Sequence, residues 1–77
     1  MILLYTMDGC RECFKVKQLL NARQLDYEEK NIFEDAEDSE ILLKELGEII
    51  VPVLRMDSCF FVGSEIYSYL STKGHVR

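Results

Sequence analysis

Two cysteines, Cys10 and Cys13, stand with two residues between them near the start of a 77-residue chain. Thiols at that spacing share one face of a helical turn, so they can close a disulfide and open it again. Their surroundings differ. Ile2-Leu3-Leu4-Tyr5 is a short apolar run of the kind a strand makes, Asp8-Gly9 breaks it, and a helix-periodic pattern then begins. Cys10 falls at the helix start, where unpaired backbone N–H groups and the positive end of the dipole favour a thiolate. Cys13 lies three residues before Val16 and seven before Leu20, on the face that packs inward. One sulfur is presented and charged while the other is sheltered, which is the arrangement of a redox pair. Arg11 favours the thiolate, whereas Asp8 and Glu12 oppose it. The expected nucleophile is therefore more acidic than free cysteine but short of the extreme.

A metal site is the rival chemistry, because Cys10, Cys13, Cys59 and His75 carry the atom types of tetrahedral zinc. Cys59, however, sits in an apolar run that reads as a buried strand, so it is expected to be a small core residue. His75 lies in a terminal stretch expected to fray, exposed and idle. Phe14 either shields the cysteine pair from water or fills core, and Tyr67 and Tyr69 read as packing or surface groups.

The elements that would position the pair follow from periodicity. Residues 11–23 read as a helix with Cys13, Val16, Leu19 and Leu20 inward, and Tyr27 through Phe33 as a second strand with imperfect alternation. Asp35 or Asp38 caps the next helix. With Asp35 at the cap, Asp38 makes a weak capping box; Ile41, Leu42, Leu43 and Leu46 supply the apolar side, and Gly47 stops it. Ile49 to Met56 is strand-like but contains Pro52, which belongs at a strand's start or edge. Asp57-Ser58 turns that run into Cys59-Phe60-Phe61-Val62, a hairpin. Ser64 caps a last helix with Ile66, Tyr69 and Leu70 on one side, closed by Gly74. The order β-α-β-α-β-β-α predicts an α/β fold in which helices flank a mixed four-stranded sheet.

Composition sets the bounds. The chain makes one domain, residues 1–77, and at 48% hydrophobic with a single proline it is globular in character. No apolar run approaches the roughly 20 residues that span a bilayer, and no export signal is read at the N-terminus. Three cysteines, an odd count, argue for a reducing compartment, so the expectation is cytoplasmic. Residues 34–48 carry seven acids against Lys44 alone, a balance of −6 that accounts for the whole net charge of −5 once the +1 of residues 49–77 is added; they read as a solvated helix face, or else as a docking surface for a basic partner. No basic patch with interleaved aromatics is present, which excludes nucleic acid.

At Cys10-Arg11-Glu12-Cys13, after a strand and opening a helix, the chain resembles the glutaredoxin and thioredoxin superfamily. Tyr5-Thr6 before the motif, Ile50-Val51-Pro52 after it, and Phe61-Val62-Gly63-Ser64-Glu65 extend the likeness from Ile2 to about Leu70. The resemblance implies a thioredoxin-like (glutaredoxin) fold and a thiol–disulfide oxidoreductase with Cys10 and Cys13 as catalytic residues. It implies further that Pro52 is cis and lies against the pair, and that the backbone of Val51 pairs with an extended substrate. Arg11, Glu12 and the helix start at Ser64-Glu65 would also touch substrate, the last by accepting a carboxylate on its N–H groups.

Three positions depart from the glutaredoxin pattern. Met7 and Asp8 replace a basic residue before the motif, Ile50 replaces threonine, and Glu48 replaces a basic residue. Those family positions help hold the carboxylates of glutathione, and with Met and Glu there an anionic tripeptide loses about 1 kcal/mol or more. The expected partners are a disulfide-containing protein and a reductant, either glutathione, which these departures disfavour, or a flavoenzyme of the thioredoxin-reductase type. The expected state is a monomer with no cofactor beyond its own redox-active disulfide. Two alternatives remain open at this point: a non-catalytic binding module using the Val51-Pro52 groove, and an iron–sulfur cluster bridging two chains through Cys10.

Overall fold

The computed structural model describes the backbone of residues 1–75 and the side chains of residues 1–71. The elements are β1 (Ile2–Thr6), α1 (Arg11–Ala22), β2 (Glu28–Asn31), α2 (Ala36–Leu46), β3 (Val53–Met56), β4 (Cys59–Val62) and α3 (Ser64–His75). The sheet runs β2-β1-β3-β4, with β1 and β2 parallel and the other two pairs antiparallel. This is the predicted element order and the predicted mixed sheet.

The central strands β1 and β3 carry the core because alternate residues point to opposite faces. Ile2, Leu4 and Leu54 pack with Val16 and Leu20 of α1 and Ile66 and Leu70 of α3, while Tyr5 and Val53 pack with Ile32 and with Leu42 of α2. Two helices therefore cover one face and one covers the other. The antiparallel register pairs Tyr5 with Val53. Pro52 is thereby carried toward the Thr6 end of β1, the end from which the cysteine loop departs.

Several local expectations are corrected. The second strand is Glu28–Asn31 rather than 27–33, since its one neighbour ends at Thr6, which pairs with Asn31. Asp35 caps α2 through a bond from the Glu37 N–H at 2.9 Å, not through a box with Asp38. Asp38 is instead 5% exposed, on the stripe of Leu42, and Leu43 is 52% exposed although its run of neighbours suggested an inward position. Gly47 does end α2, at φ +82, a conformation glycine adopts without steric cost.

Cys59 is exposed, not core: it pairs with Met56 beside the two-residue turn at the hairpin tip. Ser64 is the first helical residue of α3 rather than its cap; Gly63, at φ +57, makes the turn, and Glu65 reaches back to accept the Val62 N–H at 3.1 Å. Gly74 lies within α3 instead of closing it. The side chain of His75, and Val76 and Arg77 altogether, lie outside the described residues.

Candidate active site

Gly9, at φ +79, turns the chain out of β1, and the Cys10 N–H donates to the Met7 carbonyl at 3.2 Å. That turn leaves Cys10 extended at the cap of α1, with a Cα–Cα distance of 5.2 Å to Cys13 and a disulfide between them. The Cys13 N–H donates to Cys10 Sγ at 3.0 Å. Cys13 is 2% exposed and Cys10 is partly open, the asymmetry predicted from their positions on the helix. Phe14 neither fills core nor is buried: it is 57% exposed and stands on the rim of the groove that holds the pair.

The groove measures about 470 Å³, and one of its walls is polar. The Thr6 hydroxyl donates to Glu29 Oε2 at 2.7 Å, and Lys17 Nζ lies 3.1 Å from the same oxygen. The Thr6 hydrogen bond, helped by Lys17 and opposed by partial burial, holds the Glu29 carboxyl below its ordinary range, so it stays ionised. Asp8 is tied across the groove by the Asn31 amide at 2.8 Å. Lys17 follows Cys13 by four residues and so shares its helix face, a signal the sequence carried. The partnership of Thr6 with Glu29 depends on strand register and had no local sign.

Arg11 is exposed on the rim of the same groove. Glu12, between the cysteines, is exposed too; it pairs with Lys15 at 3.3 Å and accepts the Tyr67 hydroxyl at 3.2 Å. Tyr67 was expected to be packing or surface, and its link to the motif could not be read from spacing. Val51 and Pro52 are partly buried and joined by a cis peptide bond. Ser64 and Glu65 are exposed and border a second groove of about 510 Å³ with Phe60, Phe61, Ser68 and Tyr69. The predicted site residues thus divide: Cys10, Arg11 and Cys13 line one groove, Ser64 and Glu65 another, and Val51 and Pro52 line neither.

Of the residues of the zinc alternative, Cys59 does not converge on Cys10 and Cys13, and the side chain of His75 lies outside the described residues. Cys59 lies at the Ile2 end of β1, across β3, whereas Cys10 leaves from the Thr6 end. Four residues of strand separate those ends by roughly 13 Å. No helix among the described residues is long and apolar enough to cross a membrane.

The Glutaredoxin family model matches residues 2–61. Among solved structures, the thioredoxin-like protein BC3987 aligns with a TM-score of 0.80 at 27% identity, over 92% of this chain and 97% of that one. NrdH-redoxin from Escherichia coli, a glutaredoxin-like protein with a thioredoxin-like activity profile, aligns at 0.77 and 24% identity, over 92% and 91% of the two chains. A wheat glutaredoxin aligns at 0.74 and 16%, over 92% and 70%. Among curated proteins nothing matches. With its thioredoxin-like fold and a cysteine pair joined at the start of the first helix, this chain belongs to the glutaredoxin family of thiol–disulfide oxidoreductases.

Proposed function

We propose that this protein reduces disulfides in other proteins, with Cys10 as nucleophile and Cys13 as resolving thiol, and that a thioredoxin-reductase-type flavoenzyme rather than glutathione returns its electrons. The observation that carries the reading is the unequal pair: Cys10 partly open at the helix cap, Cys13 buried, and the Cys13 N–H aimed at the Cys10 sulfur. A charged acceptor strengthens such a bond, so the donor favours the thiolate of the reduced form.

The reaction runs in two exchanges. Cys10 thiolate attacks one sulfur of the substrate disulfide, that bond breaks, and the first substrate thiolate leaves and takes a proton. Cys13 then loses its proton and attacks Cys10 Sγ; the second substrate thiol departs and the Cys10–Cys13 disulfide remains. Two electrons have passed to the substrate. The substrate chain lies extended along Val51-Pro52, with Arg11 and Glu12 beside the reacting sulfur and Ser64 and Glu65 farther along. The protein acts as a cytoplasmic monomer with no cofactor beyond the disulfide itself.

The choice of electron donor is supported by charge. Asp8 and Glu48 are exposed, and Met7 and Ile50 add no positive group, where family members hold glutathione carboxylates. The similar NrdH-redoxin, a glutaredoxin-like protein with a thioredoxin-like activity profile, supports the reading. Cys13→Ser is expected to trap a mixed disulfide with substrate, visible as a mass adduct, and Cys10→Ser to abolish turnover. Faster reduction of the oxidised protein by glutathione with its reductase than by the flavoenzyme would overturn the donor assignment.

A further inference from the structure

The contact between Tyr67 and Glu12 joins two helices that the reaction otherwise uses separately. Glu12 lies in the first turn of α1, between the two cysteines, and Tyr67 follows Ser64 by three residues on α3. The Tyr67 hydroxyl donates to Glu12 Oε1 at 3.2 Å, which ties the first turn of α3 to the first turn of α1. Burial, with the carboxylate beside it, pushes the Tyr67 phenol above its ordinary range, so the hydroxyl remains a donor wherever thiol exchange runs. The same end of α3 carries a second carboxylate, since Glu65 folds back onto the Val62 N–H at 3.1 Å. Two carboxylates of the protein's own are thus tied to the first turn of α3, Glu65 from within it and Glu12 through the Tyr67 hydroxyl.

We infer that Glu12 is a selectivity determinant against anionic thiols, and that Tyr67 is the positioning residue that holds its carboxylate between the cysteine pair and the start of α3. Without the Tyr67 hydroxyl, Glu12 retains among the described residues Lys15, an exposed partner three residues along the same helix. A carboxylate so held samples many rotamers and spends less time on the α3 side. Neutral and cationic thiols, and disulfide segments of neutral or basic peptides, meet no such barrier. This inference deepens the proposed donor assignment and rests on it.

The test uses three small thiols of graded charge against the oxidised protein: glutathione, which is anionic, 2-mercaptoethanol, which is neutral, and cysteamine, which is cationic. In each case the thiolate attacks Cys10 Sγ, the bond to Cys13 breaks, and Cys13 leaves as a thiolate that takes a proton. A second thiol attacks the mixed disulfide, releases Cys10 and departs as the small-molecule disulfide, so two electrons enter the protein. Each rate is divided by the rate of the same thiol with 2-hydroxyethyl disulfide, which removes intrinsic nucleophilicity and leaves the effect of the protein's charge.

On this scale the preference for cysteamine over glutathione is expected to fall by about 3- to 10-fold in Glu12→Gln at low ionic strength. Tyr67→Phe should lower it by a smaller factor, and should change nothing further in the Glu12→Gln background. General loosening of the fold would speed all three thiols alike and cancel in the ratio. An unchanged ratio in Glu12→Gln overturns the selectivity role. A Tyr67→Phe effect that survives undiminished without Glu12 overturns the positioning role. The donor assignment fails separately, if the unmodified protein turns over faster with glutathione and its reductase than with the flavoenzyme, and the charge series reads Glu12 in either case.

Discussion

The bond from the Cys13 N–H to Cys10 Sγ has a strength that depends on the charge of the sulfur, and it sits where the α1 dipole adds to it. In the reduced protein both effects favour the thiolate, with Glu12 nearby in opposition. A variant carrying Cys13→Ser and Cys59→Ser leaves Cys10 as the one titrating thiol. Its ultraviolet thiolate absorbance should rise with a midpoint below the roughly 8.5 of a free thiol. A midpoint at or above that value would remove the electrostatic basis for Cys10 as nucleophile. The placement of the two sulfurs was legible in the sequence because it is local: a glycine turn, a helix start and a three-residue spacing set both. Cys59 was not legible, since an apolar run such as Cys59-Phe60-Phe61-Val62 does not say which of its residues lies at a hairpin tip. Pairing with Met56 beside the turn decided that.

At the scale of elements, the least legible pieces were those whose burial is set by a partner distant in sequence. β2 reads Glu-Glu-Lys-Asn because it is an edge strand, and charges there discourage pairing with another chain. Its one bonded neighbour, β1, fixes its length. α2 turns Asp38 inward and Leu43 outward, a rotation that the run Ile41-Leu42-Leu43 did not reveal. Asp38 faces Lys30 and Glu28 of β2 and Asp35 of its own element. Burial, with Asp35 and Glu28 adding to it and Lys30 in opposition, holds its carboxyl above the ordinary range. The folded protein therefore binds this proton more tightly than the unfolded chain does, so the contribution of Asp38 to stability declines as pH rises between its unfolded and folded pKa values. Asp38→Asn should be more stable than the parent at neutral pH, and the advantage should shrink to nothing once pH falls below the carboxylate range. Glu29 has the opposite sign. Its lowered carboxyl contributes stability at neutral pH that is lost as pH falls through its folded value. Urea unfolding at neutral and acid pH measures both, and an Asp38→Asn advantage that grows on acidification would contradict the assignment.

For the whole molecule, 77 residues leave little margin, because stability near 0.05–0.15 kcal/mol per residue amounts to about 4–12 kcal/mol. That total rests on two apolar layers sharing β1 and β3, and the sequence foretold their membership better than their partition. Ile2-Leu3-Leu4-Tyr5 and Ile49 to Met56 read as apolar runs with no face assigned, and only the register, which pairs Leu4 with Leu54, shows that Leu54 bridges β1 to Phe61 of β4. Leu54 is fully buried among Ile2, Leu4, Val16, Leu20, Ile66 and Leu70, the layer beneath both α1 and α3. Leu54→Ala removes three carbons from the centre of that layer and should cost about 2–5 kcal/mol, with the spread set by how far the site collapses. Leu43→Ala, at an exposed position of α2, should stay within about 0.5 kcal/mol of the parent. The larger loss consumes much of the available margin, so Leu54→Ala should also lose disulfide reductase activity on warming, although no atom of Leu54 belongs to the proposed chemistry. Paired urea titrations, with activity followed at rising temperature, compare the two variants. Equal losses from both would mean that α2 buries Leu43 after all and that the helix is rotated from the orientation its Asp38–Leu42 stripe defines.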